Sequence, residues 1–195
     1  MPDVLVPPSR VPRWVQNFST RHGRAVLIVA DGALHGTAED GSTFVARLPF
    51  AREYAGPADP AAFVEAAAAP TDWGVLLVRK GGFAVARLNG TTVTASKVGK
   101  RHVQGRTKAG GWSQQRFARR RDNQARAALE AADAHAARIL DRLSGPLVYG
   151  GIEEATPAGA VRLAGHIADP RRDVLEKAIG DAQSAILFVT NAGDD

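Results

Sequence analysis

The sequence contains no cysteine, and this absence excludes several kinds of site. A disulfide framework, a thiolate-bound metal and a cysteine nucleophile all require that residue. Histidine is also sparse, because the five histidines are scattered and no two of them have the helical spacing of a metal-binding pair. We therefore expect neither a metal nor a cofactor on this chain.

Long hydrophobic runs are missing as well. The longest apolar stretches, residues 25–30 and 185–189, have the length of a strand, whereas a membrane-spanning helix needs about 20 apolar residues. Residues 1–10 lack the apolar core of a signal peptide. These features predict a cytoplasmic protein that does not contact membranes.

Positive charge is concentrated in one part of the chain. The formal net charge is only +5, but residues 97–126 contain ten lysines and arginines and a single acid, Asp122. Like charges repel one another unless an anion neutralises them, and nucleic acid phosphate is the usual anion. The block therefore indicates either an RNA-binding face or a solvated basic surface.

Turn residues divide the sequence into short strand and helix patterns. Asp40-Gly41 and Asn89-Gly90 are typical of hairpin turns between apolar runs. Strands are predicted at residues 25–30 (a buried strand), 34–38, 43–48, 73–78, 83–88, 91–96, 147–149 and 185–190. Helices are predicted at residues 12–22, 61–69, 113–143, 157–165 and 171–179. This order predicts an α/β (α+β) fold, with helices packed on a mixed sheet.

The same patterns predict one domain over residues 1–195. Residues 1–23 would be an N-terminal helical extension, and residues 191–195 a frayed tail. Residues 98–112 have no periodicity and hold four glycines among cations, so we expect a long exposed loop there. The helix that follows begins with several arginines, which its dipole disfavours, so they must serve something outside the helix.

Residues 105–121 lack the groups of ordinary acid–base catalysis. They contain no histidine, no carboxylate and no phosphate-cradling GxxxxGK motif. Glycines, amides, a serine and cations remain. Glycine lets the backbone approach a crowded nucleic acid surface, and an amide can orient water or stabilise an oxyanion.

Residues 110–119 read Gly-Gly-Trp-Ser-Gln-Gln-Arg-Phe-Ala-Arg. They resemble the Gly-Gly-Gln-Ser-x-x-Arg-Phe-Ala-Arg motif of archaeal and eukaryotic class I release factors, with Trp112 at the position of the family's glutamine. Vms-like release factors of ribosome quality control place the glutamine three residues after the loop glycine, as Gly111 and Gln114 do. The chain is identified as a member of the actinobacterial Vms-like peptidyl-tRNA hydrolase family. The motif covers residues 97–126, and a looser resemblance covers residues 73–190.

The resemblance implies a fold similar to the release-factor middle domain, which is RNase H-like or ribosomal-protein-like. Its loop, with Gly110 and Gly111, would enter the peptidyl transferase centre of the large ribosomal subunit. Gln114 would position water against the ester of peptidyl-tRNA, and Gln115 is the rival for that role. Trp112 would stack on a base or anchor the loop. The residues expected to contact ribosomal or transfer RNA are Lys97, Lys100, Arg101, Arg106, Lys108, Trp112, Arg116, Arg119, Arg120 and Arg121.

Two other functions are compatible with the sequence. The first is a ribosome or RNA binder without catalytic activity, which would use the basic loop alone. The second is an RNase H-like nuclease, which needs a cluster of acids around two divalent metals. Its candidate ligands are Asp31, Asp72, Asp122 and Asp133.

The arginines after the loop allow a test of RNA docking. Replacing Arg119, Arg120 and Arg121 together with glutamine keeps helix propensity but removes three charges. We expect a partial loss of ribosome affinity. The slope of log Kd against log salt should fall by up to about three units, since each phosphate contact contributes about one unit. Peptide release at saturating protein should persist. If the variant binds as tightly as wild type throughout a salt titration, the block is only a solvated face.

Overall fold

The chain folds into two compact units in a computed structural model that describes residues 4–100, 126, 129–163 and 165–193. One unit consists of Met1–Ala69 with Gly180–Asp195, and the other of Pro70–Ile179. Within the described residues, no helix is long and apolar enough to span a membrane. The single release-factor-like domain expected over residues 1–195 stays a prediction.

The first unit is an antiparallel five-stranded sheet with two helices. Its strand order is β1-β10-β4-β3-β2, and every neighbouring pair is antiparallel. The strands are β1 (Val4–Val6), β2 (Val26–Ala30), β3 (Ala33–Thr37), β4 (Thr43–Arg47) and β10 (Ala185–Thr190). The helices are α1 (Val11–His22) and α2 (Pro60–Ala66).

Aromatic packing attaches α1 to one face of this sheet. Phe18 is buried, and the ring of Phe44 on β4 meets the rings of Phe18 and Trp14 edge-on at centroid distances of 5.1 and 5.2 Å. Such edge-to-face contacts add to the free energy gained by burial. The helix ends where predicted, at Gly23, whose φ of 88° favours glycine.

The last described residues are attached to this unit through Ser42. The Ala192 N–H donates to the fully buried Ser42 Oγ at 3.0 Å, and the Ser42 N–H donates to Asp40 Oδ1 at 2.8 Å. The Ser42 bond and a second bond to His22 Nδ1 lower the pKa of Asp40. The tail predicted to fray from residue 191 is therefore held at Ala192, while residues 194–195 lie outside the described residues.

The second unit is built on a mixed sheet, which confirms the predicted fold class. Its order is β7-β6-β5-β8-β9; β5 with β8 and β8 with β9 are parallel, and the other pairs are antiparallel. The strands are β5 (Trp73–Arg79), β6 (Gly82–Asn89), β7 (Thr92–Lys100), β8 (Leu147–Gly151) and β9 (Val161–Arg162). The helices are α3, described over residues 129–139, and α4 (Arg172–Ala182), whose last residues belong to the first unit.

Helices lie over both faces of the mixed sheet. On one face, Ala132 of α3 is fully buried in a cluster with Leu76 and Val85, and this confirms the helical stripe for the described part of the helix. On the other face, Arg172 at the start of α4 donates to Ser96 Oγ on β7 at 3.1 Å. The sheet is therefore an inner layer, which explains why β5 and β6 are apolar on both sides.

Three local predictions were wrong. Residues 25–30 form a strand, but β2 is an edge strand, so Val26 and Ile28 are 66% and 55% exposed. The helix predicted over residues 157–165 is absent from the described residues 157–163, where the chain turns and then pairs with β8 as β9. The loop predicted from residue 98 begins no earlier than residue 101, since β7 continues through Lys100.

Two further details differ from the sequence prediction. The short strand β1 was not predicted, because three residues beside Pro7 and Pro8 give too short a pattern. The helix α3 ends at residue 139 instead of 143, and its described part begins only at residue 129, apart from residue 126.

Gly36 on β3 provides a test of packing in the first unit. A Cβ atom at this position would overlap the ring of the buried Phe44. We expect Gly36→Ala to lower the free energy of unfolding by about 1–3 kcal/mol, because the close-packed core must shift to accept a methyl group. Gly180→Ala is the matched control, since Gly180 lies in α4 with open space around it and alanine favours helix by about 1 kcal/mol. Urea unfolding that leaves Gly36→Ala as stable as wild type would contradict this packing.

Candidate nucleic-acid interface

Most of the predicted site residues lie outside the described part of the chain. These are Gly110, Gly111, Gln114, Gln115, Arg101, Arg106, Lys108, Trp112, Arg116, Arg119, Arg120 and Arg121. Lys97 and Lys100 on β7 are described, and both are exposed. The geometry of the interface therefore depends on the elements that flank residues 101–125.

The strand before this segment, β7, is an edge strand fixed by close packing against β6. Gly99 is paired with Phe83, and a Cβ atom on Gly99 would overlap the ring of Phe83. Gly99 was predicted to belong to the loop, but it is a strand glycine that makes room for this ring. The segment thus leaves from a strand whose last residue, Lys100, is paired with Gly82.

The helix after the segment returns to the same end of the sheet. The ring of His135 stacks on Phe83, near the start of β6, at a centroid distance of 5.3 Å. Directly after α3, the Leu140 side chain packs over Gly74, near the start of β5. Because β7 finishes beside the start of β6, Lys100 lies at the end of the sheet where His135 contacts Phe83.

The far end of α3 is fixed to the sheet by the carboxylate of Asp72. Arg87 donates to both oxygens of Asp72, from Nε at 2.8 Å and from Nη2 at 3.0 Å, and its Nη1 donates to the Asp141 carbonyl at 2.8 Å. The N–H and the hydroxyl of Ser144 both donate to Asp72 Oδ2 at 2.8 Å. The bonds from Arg87, followed by those from Ser144, hold the pKa of Asp72 far below its ordinary value.

The turn that follows α3 packs closely against the backbone of Asp72. A Cβ atom on Gly145 would overlap the carbonyl of Asp72, so only glycine fits there. The next residue, Pro146, accepts a bond from the Gly74 N–H at 3.0 Å. The turn after α3 is therefore held against Asp72 and the start of β5.

A groove lined mainly by cations opens between β7 and the start of α4. We call it the basic groove; its volume is about 570 Å³. Its lining residues are Ser96, Lys97, Val98, Lys100, Arg171, Arg172 and Asp173. The bond from Arg172 to Ser96 Oγ joins its two sides. The groove thus extends the predicted Lys97 and Lys100 interface onto a second element.

Arg171 and Arg172 were not identified by sequence reasoning. A signal was present, because two adjacent arginines at the start of α4 face the positive end of the helix dipole. The arginines after residue 115 show the same unfavourable placement in the sequence. What the sequence lacks is the adjacency of α4 and β7, which arises only from the topology of the sheet.

The structure describes three of the four acids proposed for a nuclease, Asp31, Asp72 and Asp133. Asp72 already accepts four hydrogen bonds, from Arg87 and Ser144, so its oxygens are not available to a metal. Asp31 belongs to the first unit and Asp133 to the second, while Asp122 lies outside the described residues. Among the residues with a described placement, no group of three or more histidines and acids could hold a metal ion.

Comparison with known families gives one match. Residues 71–187 match the model of the Actinobacteria/chloroflexi VLRF1 release factor family. The match covers more than half of the 195 residues, so the chain belongs to this family, and the resemblance to Vms-like release factors is confirmed. The matched range contains residues 101–125, the Asp72 anchor and the basic groove. A search of curated proteins found no match.

The stabilisation that comes from the hydrogen bonds of Arg87 and Ser144 to the Asp72 carboxylate should depend on pH. Asp72→Asn keeps the side-chain shape but removes the charge, so we expect a lower free energy of unfolding at neutral pH. Because the folded pKa of Asp72 is lowered, its stabilisation is present above the unfolded pKa, about 3.9, and is lost as the pH falls below it. In urea unfolding, the difference in the free energy of unfolding between wild type and variant should become smaller below about pH 4.

The control for this experiment is Asp133→Asn. Asp133 is an exposed residue of α3 that makes no ion pair within the described residues. It should leave stability nearly unchanged, as most exposed substitutions do. If the difference in the free energy of unfolding between Asp72→Asn and wild type is the same at neutral and acidic pH, the charge of Asp72 does not stabilise the fold.

Proposed function

We propose that this protein hydrolyses the ester of peptidyl-tRNA on the large ribosomal subunit, with Gln114 as the residue that positions water. The observation that carries the proposal is the release factor family match over residues 71–187, which contains the Gly111 to Gln114 spacing. Residues 110–119 also keep the Arg-Phe-Ala-Arg sequence of the release-factor motif.

The proposed reaction is the hydrolysis of the ester bond by one water molecule. The water oxygen attacks the carbonyl carbon that joins the peptide to the tRNA ribose, and the bond to the ribose oxygen breaks. The peptide leaves with a carboxyl group, and one proton of the water ends on the ribose hydroxyl. An amide can take part because its oxygen accepts a hydrogen bond from water while its NH₂ donates to an oxyanion.

Geometry would have to supply most of the rate enhancement. Residues 105–121 contain no carboxylate or histidine, so no acid–base pair of their own can activate the water. Correct placement of reactants lowers a barrier by up to about 7–11 kcal/mol, provided that the reacting atoms are held close together. The fixed strand before residues 101–125 and the anchored helix after them support such a role, because a functional segment needs rigid neighbours.

Ribosomal and transfer RNA are the proposed binding partners. Lys97 and Lys100 are exposed at the point where the 101–125 segment leaves the sheet. The cations of that segment, Arg101, Arg106, Lys108, Arg116, Arg119, Arg120 and Arg121, would contact RNA phosphates, with Trp112 against a base or in the loop. No metal or cofactor on this chain enters the proposed reaction.

One observation favours a second function. Trp112 occupies the place of the glutamine in the class I release-factor motif, so the protein would be a ribosome binder without catalysis if Gln114 does not replace that group. The two functions differ in one measurement, the release of a labelled peptide from a peptidyl-tRNA–ribosome complex by the purified full-length protein. No release by the wild-type protein would leave the binding function alone.

The identity of the catalytic amide can be tested directly. In single-turnover assays at saturating protein, we expect Gln114→Ala to slow peptide release by about 100- to 1,000-fold, the usual effect of removing one group that stabilises a transition state. Ribosome affinity should stay near that of wild type, because the charges that bind RNA are unchanged.

Gln115→Ala is the matched control, since it removes the same side chain one position later. It should release peptide at close to the wild-type rate. If only Gln115→Ala is inactive, the catalytic amide is Gln115, and if both variants are fully active, neither glutamine is the catalytic group.

A further inference from the structure

Four cations line the basic groove. Lys97 and Lys100 come from β7, and Arg171 and Arg172 from the start of α4. Within the described part of the chain, none of the four cations forms an ion pair. Asp173, the acid among the described lining residues, forms no ion pair with them either. Uncompensated positive charge of this kind attracts an anion.

The two arginines also stand where their charge is unfavourable. Leu175 N–H donates to the Arg171 carbonyl at 2.9 Å, so the helix begins here and its dipole presents positive charge to both arginines. Asp173 in the first turn offsets part of this effect. A bound anion would interact favourably with the side chains and with the dipole together.

The guanidinium of Arg172 is already held in position. Its Nη1 donates to Ser96 Oγ at 3.1 Å, across the groove from α4 to β7. A guanidinium has five N–H donors, so this bond leaves others free for an anion. Because the side chain is fixed before binding, less conformational entropy is lost when the anion arrives.

The shape of the groove favours a chain of phosphates over a peptide. Among the described lining residues Val98 is the only apolar one, so this part of the groove offers little apolar surface to the side chains of an acidic peptide. Its volume of about 570 Å³ exceeds the space of a single phosphate group. It also reaches Lys100, the residue from which the 101–125 segment leaves β7.

We propose that the basic groove is a second RNA-binding site, which holds the phosphodiester backbone of RNA between β7 and α4 through Arg171, Arg172, Lys97 and Lys100. The proposal rests on the ribosome-binding part of the proposed function but not on catalysis by Gln114. The site uses residues far from the loop in sequence and would determine how the second unit is oriented on the RNA.

The test is a double variant with a charge-matched control. Arg171→Gln with Arg172→Gln should weaken binding to the large ribosomal subunit on the order of 10-fold and lower the slope of log Kd against log salt by about two units. Arg21→Gln with Arg24→Gln removes the same charge from exposed positions of the first unit and should bind like wild type. Equal affinity and slope for the groove variant and wild type would overturn the proposal.

Peptide release separates this proposal from the catalytic one. At saturating concentration the groove variant should release peptide at the wild-type rate, whereas Gln114→Ala should bind normally and release slowly. A groove variant with weakened binding supports the site even if wild-type protein releases nothing. Normal binding by the groove variant rejects the site even if Gln114 proves catalytic.

The source of the phosphates can be found with two ligands. A loss of affinity for vacant large subunits assigns the groove to ribosomal RNA, and a loss only on subunits that carry peptidyl-tRNA assigns it to tRNA; either result supports phosphodiester binding. The chain has no cysteine, so Arg171→Cys offers a unique attachment point for a photocrosslinker. Crosslinks to RNA support the proposal, and crosslinks to ribosomal protein alone overturn it.

Discussion

The carboxylate of Asp72 is the constraint on which the second unit depends. It joins the start of β5 to β6 through Arg87 and to the turn after α3 through Ser144, a residue 72 positions away in sequence. Apolar contacts can hold a helix on a sheet while permitting it to slide, whereas a bidentate ion pair and two further bonds fix one register. The turn after α3 therefore has a defined position against the sheet.

A site without acid–base groups places unusual demands on its scaffold. An enzyme with a tuned histidine or carboxylate can tolerate some movement, because the reactivity is carried by the pKa of that group. An amide has no such reactivity, so its effect would come only from where it holds the water and the carbonyl oxygen. This makes the packing of Phe83 over Gly99 and the anchor at Asp72 as important to the proposed function as the loop itself.

Local signals in the sequence predicted most of the elements but not their burial. Asn89-Gly90 located the β6–β7 hairpin, because few other residues adopt that turn. Residues 25–30 look like a buried strand in sequence, yet whether a strand is central or at the edge depends on pairing with distant strands. Residues 157–165 have helix-forming alanines, but pairing of β9 with β8 overrides that preference. Long-range pairing is the information that a local pattern lacks.

The same limit applies to the candidate interface. Lys97 and Lys100 stand beside the recognisable motif and could be predicted, whereas Arg171 and Arg172 line the groove only because the start of α4 lies beside β7. Their unfavourable place at a helix start was visible in the sequence, but a helix end alone does not indicate a binding site. It becomes informative once four cations from two elements share one groove without a carboxylate partner in the described residues. The cations of the groove repel one another, and this repulsion is the physical reason to expect an anion from another molecule.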